Sequence, residues 1–243
     1  MGLWRYFWNG RGFPVTRGLV LSLTAVFMAQ LVIFFGLHSE RMQELFSLSR
    51  TGLESGAWWQ LVTHAWMHSE VFPLHYLLNT WMLFFLGESL ERQLGSLRFV
   101  FLYGAGMLAS AGLWLWWDTD PTHAVVGASG AIFALLAAFG LLNRSRMVSV
   151  ILVVIPFRMK AWTLALSALG TEAVMMALNL FPEIAHAAHV GGGLAGLLLG
   201  AAWMSSPRLG REEKEWGFRG EVWPPNGKAS EPFSFVPAAK RLE

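Results

Sequence analysis

The segment VVGASGAIFALLAAFG, residues Val125 to Gly140, decides how the rest of this 243-residue sequence is interpreted. It places Ser129 between small residues at the head of an otherwise apolar helix. The N-terminal end of a helix carries unpaired backbone N–H groups and a partial positive charge, which stabilise an anion formed there. A hydroxyl at such a position is half of an acyl-transfer centre, and the missing half is a base.

The composition indicates a membrane protein. Of the residues, 54% are hydrophobic and only 14% are charged, with 13 Trp and 18 Phe, which is too apolar for a soluble domain of this length. Cysteine is absent, which excludes disulfides, a thiolate nucleophile and cysteine-ligated metals. The basic residues are scattered and form no recognition motif, so nucleic acid is not an expected partner.

Apolar runs predict an all-α membrane protein, a bundle of six transmembrane helices within a membrane-embedded domain at residues 13–204. The second and fourth are short for a spanning helix, while an eleven-residue apolar run at Met147 to Phe157 is too short to add a seventh. The six predicted helices are Gly18 to Gly36, Pro73 to Leu86 with an extension toward Leu94, Leu97 to Trp117, Gly127 to Leu142, Ala161 to Phe181 and Ile184 to Met204.

The segments around these helices differ in character. Residues 38–72 are half polar and rich in Trp, as expected of a first loop that lies in the membrane interface. In this loop we expect His64 and His68 to make structural hydrogen bonds. Residues 1–12 form a short N-terminal segment, and residues 205–243 are polar enough to predict a disordered tail. If both termini are cytoplasmic, every Lys and Arg except Arg41 and Arg50 falls on the inside, in agreement with the positive-inside rule.

This topology brings polar residues to one level. The second, fourth and sixth helices would all start on the outer side, so His75, Asn79, Ser129 and His189 share a layer. Polar side chains inside a membrane are costly and usually functional. We therefore predict His189 as the general base of Ser129, with His75, Asn79 and the Ser129 amide as donors to the oxyanion.

Small residues predict that the fourth and sixth helices pack closely. They recur every four residues on both helices, a spacing that lets helix backbones approach. They are Gly130, Ala134 and Ala138 on the fourth helix and Gly192, Gly196 and Gly200 on the sixth. The only acid near His189 in sequence, Glu183, is expected at the surface, so the prediction is a Ser–His dyad without a third member.

Five motifs together resemble the rhomboid family of intramembrane serine proteases. The resemblance implies a serine endopeptidase that cuts transmembrane helices of other proteins, with Ser129 and His189 as a dyad, His75 and Asn79 in the oxyanion hole, no cofactor, and lipid as its surroundings. Compactness and this resemblance favour the bacterial inner membrane. The motifs are HAWMH at His64 to His68, HYLLN at His75 to Asn79, GESLERQLG at Gly87 to Gly95, GASGAIF at Gly127 to Phe133 and AHVGGGLAG at Ala188 to Gly196.

The sequence departs from this family pattern in two informative places. Many members carry a Trp-Arg pair in the first loop, whereas here Trp59 is followed by Gln60. Phe133 stands where some members have a tyrosine, so it can stack on His189 but cannot donate a hydrogen bond.

Glu172, in the middle of the fifth predicted helix, is not part of the resemblance. Our hypothesis is that it faces a cavity between the second and fifth helices and acts as a gate for substrate entry. The alternative is a glutamate that helps to pack the bundle.

Two other functional classes compete with the protease. A non-proteolytic rhomboid-like protein would bind transmembrane clients, although such proteins typically lack the serine or the histidine. A metal site would use Glu183, His186 and His189, which are spaced by three residues. That site lacks matching carboxylates on partner helices, so no metal is predicted.

Overall fold

The computed structural model describes residues 13–152 and 155–204. Within these ranges the chain forms six long helices, numbered α1 to α6 here, and a π-helical turn at Val32–Gly36 continues the first. The predicted N-terminal segment and C-terminal tail lie outside the described residues. The long helices are α1 Pro14–Leu31, α2 Pro73–Leu94, α3 Ser96–Trp117, α4 Ser129–Leu142, α5 Ala161–Leu178 and α6 His186–Met204.

Helix α2 includes the predicted extension toward Leu94 and is therefore not a short helix. It continues through its polar end for 22 residues, and Arg92 there contacts Glu88 one turn earlier at 3.1 Å. It ends at Gly95, whose φ of 80° favours glycine. By contrast, α4 has only 14 residues, so the prediction of a short fourth helix is confirmed.

The all-α prediction needs a correction, because the described chain also contains two pairs of short strands. Strands β1 (Leu48–Ser49) and β2 (Ala124–Val125) join the first loop to the segment before α4. Strands β3 (Met147–Leu152) and β4 (Ile155–Lys160) pair antiparallel between α4 and α5. The run expected not to cross the membrane is therefore a hairpin, as its enrichment in β-branched residues permits.

The long helices form a membrane-embedded bundle. Among the described residues, four helical segments are long and apolar enough to cross a membrane, namely Pro14–Gly36, Ser96–Trp117, Ala161–Leu178 and His186–Met204. The first has a mean hydropathy of 2.3 over a window of which only 17% is buried. Apolar side chains left outside the protein core at this density require a lipid environment.

Helix α4 is the centre of the bundle. It packs against α2, α3, α5 and α6, and Ala134, Leu135, Ala137 and Ala138 are fully buried. A short apolar helix surrounded by other helices need not match the bilayer thickness, because its ends are covered by protein.

The close packing of α4 against α6 is confirmed residue by residue. A β-carbon on Gly192 would overlap the carbonyl of Gly130, and one on Gly196 would overlap that of Ala134. One turn further, a β-carbon on Gly200 would lie 3.2 Å from the Cα of Ala138. The two helices are therefore in backbone contact along three turns, a distance that only glycine permits.

The first loop is tied to the bundle by buried polar side chains. Arg50 donates to the carbonyls of Leu115 and Asp118 at the C-terminal end of α3, where carbonyls lack partners within the helix. Gln60 is only 2% exposed. Its Oε1 accepts from the Ser49 amide at 3.2 Å, and its Nε2 donates to the Leu45 carbonyl at 3.3 Å. At the position where the family resemblance led us to expect arginine, this chain thus has a buried amide that hydrogen-bonds the loop backbone.

Helix α1 is held at both ends by buried carboxylates. At its start, Glu91 of α2 accepts from the amides of Val15 and Thr16 at 2.9 and 2.7 Å. Near its end, the Gln30 amide donates to the His68 carbonyl and to Glu70, both at 2.9 Å. The first carboxylate caps the positive end of the helix.

We predict that Gly196→Ala destabilises the bundle, because the added methyl group forces α6 away from the Ala134 carbonyl. The expected loss is about 1–3 kcal/mol, typical of overpacking. The measurement is the thermal unfolding midpoint in detergent. Gly112→Ala on α3 is the matched control, since nothing lies within 4 Å of its added β-carbon, and it should be neutral or slightly stabilising. Equal midpoints for the two variants would contradict the role of this contact.

Candidate active site

Ser129 and His189 are in direct contact. Ser129 is the first residue of α4, and His189 lies in the first turn of α6. The His189 Nε2 atom is 2.8 Å from the Ser129 Oγ atom, within hydrogen-bonding distance. The structure therefore brings together the two residues that the sequence assigned to nucleophile and base.

Neighbouring residues hold this pair in place. The Phe133 ring stacks on the His189 imidazole with centroids 4.5 Å apart and an interplanar angle of 17°, so the predicted stacking is confirmed. Before Ser129, Gly127 adopts a φ of 115°, and its amide donates to the His64 carbonyl at 2.8 Å. The backbone approach to the serine is thus fixed from the first loop.

Glu172 completes a hydrogen-bonded cluster with two histidines. Its Oε2 atom is 2.9 Å from Nδ1 of His189 and 2.6 Å from Nδ1 of His186. Helix α5 packs chiefly against α4 and α6, and the carboxylate side of Glu172 is turned toward α6. The expectation that His189 has no acidic partner is therefore wrong. The role of Glu172 as a gate for substrate entry stays a prediction.

The sequence contained a signal for this contact. Glu172 lies six residues before the end of α5, whereas His186 and His189 open α6. Two neighbouring helices joined by a short turn place such residues at similar depth, since each residue rises 1.5 Å. The sequence reasoning missed the contact because it sought an acid close to His189 along the chain.

His75 faces the same small space as the serine. A β-carbon on Gly127 would lie 2.8 Å from Nε2 of His75 and 3.7 Å from Oγ of Ser129. Asn79 is 5% exposed and donates from Nδ2 to the His75 carbonyl at 2.8 Å, which leaves it a second N–H. Among the described residues, neither side chain hydrogen-bonds Ser129 directly, and the oxyanion hole stays a prediction.

The two loop histidines are structural, as expected. Nδ1 of His64 donates to the Gln60 carbonyl at 2.9 Å, and Nδ1 of His68 donates to the Trp66 carbonyl at 3.2 Å. His68 is fully buried. Desolvation, with a smaller contribution from the charge of His75, lowers the pKa of His68 to about 4. Burial likewise lowers the pKa of His64.

The Glu172, His186 and His189 cluster also has the composition of a metal site. Its ligand atoms lie within 4.8 Å of one another, and Glu172 takes the place that the sequence gave to Glu183. The Oε2–Nδ1 distances of 2.6 and 2.9 Å are those of hydrogen bonds. Ligands of a tetrahedral zinc ion would be separated by roughly 3.3 Å. The geometry is therefore that of a hydrogen-bonded cluster.

A helical membrane protein with a serine and a histidine in contact at adjoining helix starts has the arrangement of an intramembrane serine hydrolase. Comparison with known families supports this class. Residues 55–206 match the family model of the Rhomboid domain, which covers more than half of the chain. The chain therefore belongs to the rhomboid family, whose members are generally intramembrane serine proteases.

Curated relatives agree with this assignment. RHOMBOID-like protein 1 of Arabidopsis thaliana is 30% identical over 183 residues, 73% of this chain and 43% of the relative. The putative rhomboid protease YdcA of Bacillus subtilis is 33% identical over 133 residues, 53% of this chain and 62% of the relative. Rhomboid protein 1, mitochondrial, of Saccharomyces cerevisiae is 30% identical over 158 residues, 63% of this chain and 44% of the relative. The chain thus spans about half the length of these relatives, which come from a plant, a bacterium and a mitochondrion, and the bacterial inner membrane stays a prediction.

We predict that the protein loses stability as pH falls from about 6.5 to about 4. Because the pKa of His68 is depressed to about 4, the unfolded chain binds a proton in this window that the folded chain does not. The expected cost is about 3 kcal/mol at the lower end. The measurement is the unfolding midpoint in detergent against pH.

His68→Phe should flatten this acid limb, since phenylalanine keeps the ring contacts with Phe27 and Tyr76 but cannot titrate. The control is His123→Asn, which removes an exposed histidine whose pKa is raised by the hydrogen bond to Asp118. A limb unchanged in His68→Phe would show that this histidine does not cause it.

Proposed function

We propose that the protein is a serine endopeptidase that hydrolyses peptide bonds in or near transmembrane segments of other membrane proteins. Ser129 is the nucleophile and His189 the general base. The observation that carries the proposal is the 2.8 Å contact between Ser129 Oγ and His189 Nε2 at the head of a buried apolar helix. A serine hydroxyl is a weak nucleophile, and it becomes effective when a base stands ready to accept its proton.

The chemistry follows the serine hydrolase template. As Ser129 Oγ attacks the scissile carbonyl carbon, its proton passes to His189 Nε2 and a tetrahedral oxyanion forms. The C–N bond then breaks, and the imidazolium gives its proton to the leaving amine. Water repeats the sequence on the acyl-enzyme, with His189 first as base and then as acid, so that the carboxylic acid product is released and the serine is restored.

The oxyanion hole would be built around the small space in front of Gly127. The Ser129 amide belongs to the first turn of α4 and has no acceptor in the preceding helix turn. The His75 Nε2 atom borders the same space, and Asn79 retains a free amide hydrogen. Together these donors can stabilise the developing negative charge in surroundings with little water.

A transmembrane substrate agrees with the position of this site. Both reacting residues lie in first helical turns inside a bundle whose outer surface is largely apolar. A substrate helix moving in the bilayer can reach that surface without leaving lipid. Its scissile carbonyl must leave its own helical hydrogen bond before attack, so cleavage should favour segments with weak helix propensity.

The proposed arrangement has six membrane crossings with both termini in the cytoplasm. In this arrangement only two of the basic residues, Arg41 and Arg50, lie on the outer side. This distribution supports it, because Lys and Arg are enriched on the cytoplasmic side of membrane proteins. The starts of α2, α4 and α6 then face outward, and the catalytic pair lies nearer the outer surface.

A fluorophosphonate probe tests the proposal without knowledge of the substrate. We expect the protein in detergent to be labelled, and Ser129→Ala and His189→Ala to lose labelling by about 10³-fold or more, as in hydrolases that lose a catalytic residue. The matched control is Ser167→Ala on α5, whose hydroxyl donates to the Leu164 carbonyl one turn earlier. It should be labelled like the wild type.

A folded wild type that reacts neither with this probe nor with a second serine-directed reagent would contradict the proposal. A non-proteolytic protein that binds transmembrane clients would then be favoured. If His189→Ala kept its labelling, the role of His189 as the base would be contradicted, but the role of Ser129 as the nucleophile would not.

We further predict that His75→Ala lowers kcat by about 10²–10³-fold with little change in KM, because an oxyanion donor acts mainly in the transition state. The measurement is cleavage of a transmembrane substrate reconstituted in lipid. His38→Ala, at an exposed loop position, is the control. A change confined to KM would contradict a role in the oxyanion hole.

A further inference from the structure

We infer that Glu172 and His186 form a proton-sharing pair that fixes the tautomer of His189, with Glu172 as a positioning residue for the catalytic histidine. This inference rests on the proposed function for its consequence in catalysis. It replaces the expected dyad by a chain of contacts that runs from the Leu180 carbonyl through His186, Glu172 and His189 to Ser129.

A backbone carbonyl fixes where His186 carries a hydrogen. Its Nε2 atom is 2.9 Å from the Leu180 carbonyl oxygen. A carbonyl oxygen only accepts hydrogen bonds, so Nε2 of His186 must carry a hydrogen. In a neutral imidazole with that hydrogen, Nδ1 is left with a lone pair and acts as an acceptor.

On the other side of its ring, His186 makes a short contact with Glu172. His186 Nδ1 lies 2.6 Å from Glu172 Oε2. A lone pair and an ionised carboxylate oxygen would repel at this distance, so one proton must lie between them. It resides either on His186, as an imidazolium facing a carboxylate, or on Glu172, as a carboxylic acid facing a neutral imidazole. Both forms have zero net charge.

A neutral pair explains how this carboxyl group is tolerated. Its side chain is 17% exposed and that of His186 only 6%. An unpaired carboxylate in such a place would be expensive, and no Lys or Arg contact is found for it among the described residues. His186 therefore balances the charge of Glu172.

His189 contacts Glu172 through Nδ1 as well. The same Oε2 atom is 2.9 Å from its Nδ1. In both forms of the pair this oxygen keeps a lone pair toward His189, so it accepts and Nδ1 donates. Neutral His189 then has its free lone pair on Nε2, which faces the hydroxyl of Ser129. Only this tautomer can take the serine proton.

One oxygen atom serves both histidines, which makes Glu172→Gln a sharp test. If the amide oxygen occupies this position, His189 keeps its acceptor, but a neutral His186 with its hydrogen on Nε2 no longer has a proton between its Nδ1 and the side chain at position 172. If the amide nitrogen occupies it, the nitrogen donates to His186 and also faces His189 Nδ1, which favours the tautomer with hydrogen on Nε2. That tautomer cannot activate Ser129, and the wrong tautomer costs up to about 10⁴-fold in the serine protease template.

The experiment combines kinetics with histidine NMR on the full chain in detergent. For Glu172→Gln we expect the fluorophosphonate labelling rate and kcat to fall on the order of 10²-fold while KM is unchanged. This fall is larger than that expected for one lost hydrogen bond and smaller than the fall of about 10⁴-fold expected if every His189 had the wrong tautomer. In ¹⁵N-histidine spectra, assigned with His186→Gln and His189→Gln, wild-type His189 should carry its hydrogen on Nδ1. In Glu172→Gln the Nε2–H form should appear.

Glu183→Gln is the matched control, because it removes an exposed carboxylate near the same helix start. It should keep wild-type kinetics and spectra. Wild-type labelling and an unchanged His189 tautomer in Glu172→Gln would overturn the inference and leave the proposed function intact. An unlabelled wild type would instead remove the proposed function. In that case the NMR spectra alone would decide whether Glu172 sets the tautomer of His189. In an active wild type, a change in Glu172→Gln that is confined to KM would show a merely structural role and overturn the inference.

Discussion

The backbone contact between α4 and α6 is the constraint on which the site depends. Gly192, one turn after His189, lies against the carbonyl of Gly130, the residue that follows Ser129 in the chain. A methyl group at this crossing would separate the helices by more than the tolerance of a 2.8 Å hydrogen bond. The glycines therefore determine whether a nucleophile and a base at two helix starts can act as one unit.

Around this contact, backbone carbonyls hold polar groups in addition to the side-chain contacts of Glu172 and His189. The His64 carbonyl fixes the turn at Gly127, and the Leu180 carbonyl orients His186. The His64 carbonyl belongs to a short 3₁₀ turn of the first loop and the Leu180 carbonyl to the connection between α5 and α6, so both lie outside the long helices, where carbonyls are free to accept such bonds. The helices thus set where the side chains of the site lie, and the loop carbonyls set how they are oriented. The position of Ser129 at the start of α4 depends on both.

Much of this fold and site could be predicted from sequence, because the signals are local. Apolar runs located the six helices, and small residues every four positions predicted the approach of Gly130 and Gly192. Contacts set by helix rotation could not be read in the same way. The direction of Glu172 depends on how α5 turns against α6, and a uniformly apolar helix carries little information on rotation. The hairpin at Met147–Lys160 and the buried role of Gln60 depend on tertiary pairing in the same manner.

The carboxylates at the two ends of α1 have a mechanical consequence. Glu91 fastens the start of this helix to α2, and Glu70 with Gln30 fastens its end to the segment before α2. A helix held at both ends cannot change its tilt to match a thicker or thinner bilayer. The thickness of membrane that it spans is therefore fixed. Hydrophobic mismatch must then be absorbed by the lipid or by α5, whose apolar window is only 17% buried and whose carboxylate contact with α6 lies at one point, Glu172, and not at both ends. The thickness of the host membrane should accordingly bear on the one helix that supplies Glu172.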